Sequence, residues 1–214
     1  MRSEAKQFIF SIIITTFLLA GCATPHSVHL SAANRASIKG VHIDKNVSKP
    51  DVIFWRGTAQ AWGAALGGVI GALATADAGM TDAERMVKFM DKEHIDISEI
   101  VYSEVTKQVA VLKTFDISDA NRIDATLIFS VDMYGFNKTH PFGSNMNPLI
   151  RITGKLIKPN NEIVWQESEF VSDLASANDQ GQSLDTYQNE PEKLRAALAK
   201  ASEVAVKRVV AKLP

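Results

Sequence analysis

The residue with the most distinctive chemistry is Cys22, the only cysteine of the chain and the last residue of Leu19-Ala20-Gly21-Cys22. A thiol is an intrinsically strong nucleophile, and the two small residues before it suit the narrow pocket of a peptidase. The histidines, at positions 26, 29, 42, 94 and 140, have no carboxylate or nucleophile at an interpretable spacing. The chain also lacks a hydrolase elbow, a zinc-protease motif, a phosphate loop and a dinucleotide fingerprint. We therefore expect no catalytic, metal or cofactor site.

The segment before Cys22 is typical of an export signal. Arg2 and Lys6 give it a positive start, and the run from Phe8 to Ala20 is apolar. That run has about 13 residues, which is shorter than the ~20 needed to span a bilayer. The segment resembles the lipobox of bacterial lipoproteins, which has the form Leu-small-small-Cys.

The resemblance implies that residues 1–21 are a signal peptide, and that Cys22 becomes the first residue of the mature chain. It also implies a diacylglycerol on the thiol and a further acyl chain on the new amine. Three chains would anchor the protein permanently, since two such signals already suffice. Ala23 follows where enterobacterial sorting would use aspartate to retain a protein at the inner membrane. The resemblance thus implies an outer-membrane location, with the protein facing the periplasm.

Composition restricts the rest of the chain. With its one thiol acylated, it could form no disulfide, so a hydrophobic core must hold the fold. The whole sequence has 23 basic and 24 acidic residues without a basic cluster, so we do not expect nucleic acid as a partner. Residues 22–37 are small and polar and predict a tether. Residues 38–214 are enough for a single domain.

A small-residue segment at 59–79 is the second informative stretch. Gly63, Gly67 and Gly71 recur every fourth position, which on a helix gives a flat face that another backbone can approach closely. Each glycine costs a helix interior roughly 1 kcal/mol relative to alanine, so an external contact should offset that cost. The segment resembles the glycine zipper of several outer-membrane lipoproteins, which implies packing against membrane or partner helices. A flexible loop is the alternative.

Helix signals occur at three further places. Thr81-Asp82-Ala83-Glu84 is a capping box and starts a short helix that should end near His94. Asp96 starts a second helix, which apolar spacing extends to about Lys113. Glu190-Pro191-Glu192 begins the last helix. The spacing of its apolar residues predicts a buried stripe formed by Leu194, Leu198, Ala201, Ala205 and Val209. The second helix should have a solvated charged face, formed by Glu99, Glu104 and Lys107.

Strand signals follow the second helix. Residues 124–137 alternate, which predicts a half-buried strand with Met133 on the inner face and Tyr134 on the outer face. Residues 149–158 and 163–171 predict two further strands, joined by a turn at 159–162. The shorter runs 38–43 and 52–55 are also β-prone.

Two connections are harder to interpret. The loop 135–148 is long for a hairpin, and its Phe136, His140 and Phe142 could contact a protein or a lipid. Alternatively, its aromatic side chains pack over the edge of the sheet. Residues 172–189 are polar and unpatterned, which predicts a mobile connection.

This order of elements predicts an α/β (α+β) domain, with helices packed on one face of a small, mainly antiparallel sheet. The order resembles the α/β domain of curli-secretion-type and TolB N-terminal-type envelope lipoproteins. That implies a non-catalytic subunit that contacts other envelope proteins or its own copies. A lipid- or peptide-binding accessory domain of an envelope transport system is the alternative.

Overall fold

The computed structural model describes residues 27–56, 80–112, 115–117, 123–138, 145–172 and 181–213. Within these residues the chain forms five helices and seven strands. In chain order they are α1 (Ala32–Ser37), β1 (Gly40–Ile43), β2 (Phe54–Arg56), α2 (Asp82–Lys92), α3 (Ile97–Leu112), β3 (Asp116–Ile117), β4 (Ala125–Lys138), β5 (Asn145–Ile157), β6 (Ile163–Val171), β7 (Gln182–Ser183), α4 (Leu184–Asn189) and α5 (Pro191–Val210).

The described strands form one sheet around the long antiparallel pair β4–β5. On one side of this pair, β6 and β7 lie antiparallel to β5. On the other side, β1 and β2 lie parallel to β4, and β3 adds a further parallel strand beside β1. The sheet is open and mostly antiparallel, with helices packed beside it, so the predicted fold class is confirmed.

Helix α5 packs on β5, β6 and α3, while α3 also contacts β4. The predicted buried stripe of α5 is confirmed, since Leu194, Leu198, Ala201, Ala205 and Val209 are all buried. Full burial of each leucine contributes about 1.5–3 kcal/mol, and the alanines let the helix approach the sheet closely.

The predicted helix starts are confirmed as well. The Thr81 hydroxyl accepts the backbone N–H of Glu84, whose carboxylate accepts the backbone N–H of Thr81, which completes the capping box of α2. At the start of α3, the Asp96 carboxylate accepts the backbone N–H of Ser98 at 2.8 Å. The charged face of α3 differs from the prediction, because Glu104 is buried beside Lys107, whose ammonium lies 2.7 Å from its carboxylate.

Strand β4 departs from its predicted alternation at a β-bulge. The pairing with β5 shifts between Val131 and Met133. An extra residue exchanges the two faces of the sheet beyond it, so Tyr134 is buried and Met133 is only half-buried. The predicted faces of these two residues were therefore wrong. Burial of Tyr134 raises the pKa of its hydroxyl to about 12, with nearby carboxylates adding to the shift.

The chain between Ser172 and Asn189 is more structured than predicted. Residues 182–183 pair with the start of β5, and α4 follows immediately. Tyr187 is fully buried, and its hydroxyl donates to the carbonyl of Met146 at 3.1 Å. The predicted loop 135–148 is also shorter, because β4 continues to Lys138 and β5 already begins at Asn145.

The predicted tether differs from the structure in its second half. Val28 forms an isolated antiparallel bridge with Gln166, Leu30 is buried, and α1 occupies residues 32–37. From Ser27 onward the chain therefore lies on the domain.

None of the helices among the described residues is both long enough and apolar enough to cross a membrane.

Gly135 provides a test of this architecture. Its φ is +155°, and a Cβ there would collide with the backbone carbonyl of Phe54 in the paired strand β2. We expect Gly135→Ala to reduce the free energy of unfolding by about 3 kcal/mol, because β2 must move away from β4. Urea unfolding measures the change. The control Thr126→Ala, at a half-exposed position of the same strand, should cost about 0.5 kcal/mol. Equal effects of the two substitutions would contradict the β2–β4 pairing.

Candidate functional site

The N-terminal segment is held against β6 by a polar cluster, which we call the N-terminal clamp: Ser27, His29, Glu167, Glu169 and Lys212. The Glu167 side chain is only 5% exposed. It accepts a short hydrogen bond from the Ser27 hydroxyl, and His29 Nδ1 lies 3.4 Å from its carboxylate. Because a buried carboxylate is costly without partners, Glu167 requires this part of the chain to remain in place.

Lys212 closes the clamp from the C-terminal side. Its ammonium lies 2.7 Å from the Glu169 carboxylate and 3.3 Å from that of Glu167. The hydrogen bond with Glu169 is the largest cause that raises the pKa of Lys212, and Glu167 adds to it. The Lys212 carbonyl accepts the indole N–H of the buried Trp165 at 3.1 Å. The clamp therefore joins both ends of the described chain to β6.

The bridge at Val28 also fixes the direction from which the chain arrives. Both backbone hydrogen bonds between Val28 and Gln166 form, at 2.8 and 2.9 Å, so the segment runs antiparallel to β6. The described segment therefore begins, at Ser27, on the side toward which β6 runs. We call this the loop end of the sheet, where β2, β4 and β6 finish and β5 begins. The connections 57–79, 139–144 and 173–180 also start from strands that finish there.

The face of the sheet away from α3 and α5 has a distinct composition. We call the open face the side of the sheet formed by Phe54, Arg56, Met133, Arg151, Lys155 and Phe170. Phe54 and Phe170 are 40% and 41% exposed. The Arg151 guanidinium lies 5.2 Å from the centre of the Phe170 ring, in a cation–π contact. The nearest acid on this face, Asp132, already accepts hydrogen bonds from Ser130 and Thr153.

An open groove of about 380 Å³ lies between α2 and the chain before β2. Its apolar lining comes from Val52, Ile53, Met80, Ala83 and Val87. Met80, which lines this groove, is the first described residue after the small-residue segment.

Most of the predicted site residues lie outside the described residues: Cys22, Gly63, Gly67, Gly71, His140 and Phe142. The exception, Phe136, is fully buried in β4, with its ring centre 5.9 Å from that of Trp55 and 6.1 Å from that of Tyr187. It is a core residue within the sheet, and the contact predicted for this loop stays a prediction for His140 and Phe142 alone. Among residues that the structure describes, no group of three or more His, Cys, Asp or Glu side chains could hold a metal ion.

Sequence reasoning missed the N-terminal clamp. Ser27 and Glu167 are 140 positions apart, and neither belongs to a recognisable motif. The available signal was weak: Glu167 lies on the inward phase of a predicted strand, where a charged residue needs a partner.

No protein-family model matches the sequence, and a search of curated proteins finds no match. Solved structures with a similar arrangement include the PelC dodecamer from Paraburkholderia phytofirmans, at 11% identity and a TM-score of 0.41, covering 89% of this chain and 98% of that one. A DUF330 protein from Xanthomonas campestris has 13% identity and a TM-score of 0.42, with coverages of 87% and 90%. Lipoprotein GNA1162 from Neisseria meningitidis has 15% identity and a TM-score of 0.25, with coverages of 62% and 81%. Similarities this distant carry no functional argument, so the function must be argued from the residues of this chain.

Lys212 tests whether the clamp holds the N-terminal segment. We expect Lys212→Met to reduce the free energy of unfolding by about 1–3 kcal/mol, because the buried Glu167 loses its cationic partner. The matched change Lys200→Met removes an exposed ion pair with Glu203 and should cost about 0.5 kcal/mol. Thermal unfolding of both variants gives the comparison.

The pH dependence of this effect has a definite sign. Because the folded-state pKa of Lys212 is raised, its contribution is complete below the ordinary lysine pKa of 10.5 and is lost as the pH rises through the raised value. The difference between Lys212→Met and the native protein should therefore shrink at high pH. A loss no larger than that of Lys200→Met at neutral pH would contradict the role of the clamp.

Proposed function

We propose that the protein is a bacterial lipoprotein of the outer membrane, anchored through acyl chains on Cys22, with its domain facing the periplasm. The support is the order of a positive start, a short apolar run, two small residues and a unique thiol. The described domain suits such an anchor, since the clamp fixes Ser27 only five residues after Cys22.

The protein then acts as a non-catalytic interaction or assembly subunit in the cell envelope, and the Gly63, Gly67 and Gly71 face is one of its contacts. One observation carries this proposal. The N-terminal segment comes from the loop end of the sheet, and residues 57–79 begin there after Arg56. The acyl anchor and the small-residue segment therefore leave the domain at the same end, where a membrane or a neighbouring envelope protein would lie.

A non-catalytic role agrees with the uses of the described titratable groups. Glu84 caps α2, and the backbone N–H of Thr81 is the main cause that lowers the pKa of its carboxyl. Burial works against ionisation of Asp96, but the hydrogen bonds from Lys49 and Ser98 outweigh it and lower its pKa. Glu167 holds the clamp. These three carboxylates have structural partners that account for their positions.

The anchor is tested by the mass of the N-terminal peptide of protein purified from its native membrane. We expect a peptide that begins at Cys22 and carries three acyl chains. In Cys22→Ser we expect the acyl mass to disappear and the protein to leave the outer-membrane fraction. A native protein that begins at Met1, or that keeps an unmodified thiol, would overturn the proposal.

The small-residue contact is tested by enlarging its face. Residues on a helix are about 100° apart, so Gly67 and Gly71 share one face and Ala65 and Ala76 lie roughly opposite. We expect Gly67→Leu with Gly71→Leu to abolish crosslinked complexes in intact cells, since backbones could no longer approach. Ala65→Leu with Ala76→Leu also introduces two leucines and should preserve them. If both double variants assemble like the native protein, the small-residue face is not a contact.

A second candidate is a lipid- or peptide-binding accessory domain, which the groove beside α2 favours. Its volume is near the lower end of ligand pockets. Lipid or peptide that co-purifies with the native protein and is displaced by Val87→Trp would support this function. An empty groove, with assembly unaffected by Val87→Trp, would leave the interaction subunit as the only candidate.

A further inference from the structure

We infer that the open face of the sheet lies against the bilayer that holds the acyl chains of Cys22. This inference rests on the proposed anchor, and it adds the orientation of the domain and the surface that meets the lipid.

The first step is the reach of the anchor. Ser27 is fixed by the clamp, and Cys22 is five residues earlier. Even a fully extended chain of that length spans only about 17 Å. Whatever conformation residues 22–27 adopt, the clamp cannot lie further than this from the attachment point.

The second step is the distance along the strands from the clamp to the loop end. Glu167 pairs with Gly154, and β5 extends from Gly154 back to Met146, which pairs with Lys138 at the end of β4. These eight residues of strand span about 26 Å. The β4–β5 pair therefore reaches about 9 Å beyond the furthest position that Cys22 can take in the same direction.

The third step is the consequence for orientation. If the strands stood perpendicular to the membrane, the loop end would enter the ~15 Å thick hydrocarbon of one leaflet. The charged Lys138 and the polar Asn145 are at that end. A charged side chain is costly in hydrocarbon. The strands must therefore tilt by about 50° or more from the membrane normal for the end to stay outside.

The fourth step is the choice of the face that turns toward the lipid. The open face has two exposed phenylalanines, with Arg151 stacked on one of them, and Arg56 and Lys155 lie on the same side of the sheet. Aromatic rings suit the interfacial region, and basic side chains attract anionic headgroups. The face has three bases, and the carboxylate of its nearest acid, Asp132, already accepts hydrogen bonds from Ser130 and Thr153.

The opposite side of the domain, formed by α5, is better suited than the open face to contact with water. Helix α5 is also rich in basic residues, some of which form ion pairs, such as Lys193 with Glu190 and Lys200 with Glu203. It has no exposed large hydrophobic side chain, however, so it offers no aromatic ring to the interfacial region. We therefore assign the lipid contact to the open face and the solvent contact to α5.

Single-cysteine labelling tests this orientation in the full, acylated protein. If acylation uses the native thiol, an introduced cysteine is the one free thiol of the mature chain. Phe170→Cys and Lys155→Cys place a fluorescent label on the open face, and Glu203→Cys places it on α5. The proteins are reconstituted in vesicles of phosphatidylethanolamine and phosphatidylglycerol, and quenching by spin-labelled lipid is compared with quenching by iodide in the water.

We expect lipid quenching at residues 155 and 170 to be several-fold stronger than at residue 203, and iodide quenching to show the reverse order. Equal quenching at all three positions, or stronger lipid quenching at residue 203, would overturn the inference. Labels on the open face that are exposed to water on vesicles but shielded in cells would overturn it in favour of a protein partner.

Failure of the anchor itself gives a different result. A protein without acyl chains would not sediment with the vesicles and would lack the added mass on its N-terminal peptide. Sedimentation with the vesicles together with the wrong quenching order would reject only the orientation.

Discussion

The buried Glu167 carboxylate is the interaction on which this account depends. It lies where β6 faces the end of α5, and it is satisfied from two directions, by Ser27 and His29 of the N-terminal segment and by Lys212 near the C-terminus. A buried charge of this kind contributes little net stability, but it strongly disfavours arrangements in which its partners are absent. The clamp therefore fixes where the chain enters the domain more than it strengthens the core.

The stability of the core has a different origin. Two long strands form its centre, and α5 covers β5 and β6 with a stripe of leucine, alanine and valine. The β-bulge between Val131 and Met133 then turns Tyr134 and Phe136 inward, where Phe136 contacts Trp55 and Tyr187. This aromatic group fills the core near the loop end. A rigid loop end matters for the proposed function, because the small-residue segment that we propose as a contact follows β2, which finishes there.

The regular elements could be predicted because their signals are local. The capping box at Thr81, the strand 163–171 and the stripe of α5 each depend on residues within a few positions of one another. The bulge could not be predicted, since the alternation of β4 continues through Val131 to Met133 without a break. Helix α4 was missed because only Leu184 and Tyr187 are buried in a polar stretch.

The candidate site was less predictable than the fold. The clamp joins residues that are far apart in sequence, and its N-terminal members lie in a stretch whose polar composition is typical of a tether. Phe136 was considered a contact residue because glycine, proline and asparagine near it suggested a long loop. Strand β5 instead begins before Pro148, so Phe136 pairs within the sheet. The open face could not be predicted from the sequence either, because its residues come from four strands, β2, β4, β5 and β6.

The most direct measurement of the central claim is neutron reflectometry of the full, acylated protein on a supported bilayer. Strand β4 has 14 residues and would rise about 45 Å if it stood upright. With the open face on the lipid, one sheet and one layer of helices should form a protein layer of about 30 Å or less, in contact with the headgroups. A layer as thick as the upright strand, separated from the headgroups by water, would contradict a short anchor held at Glu167.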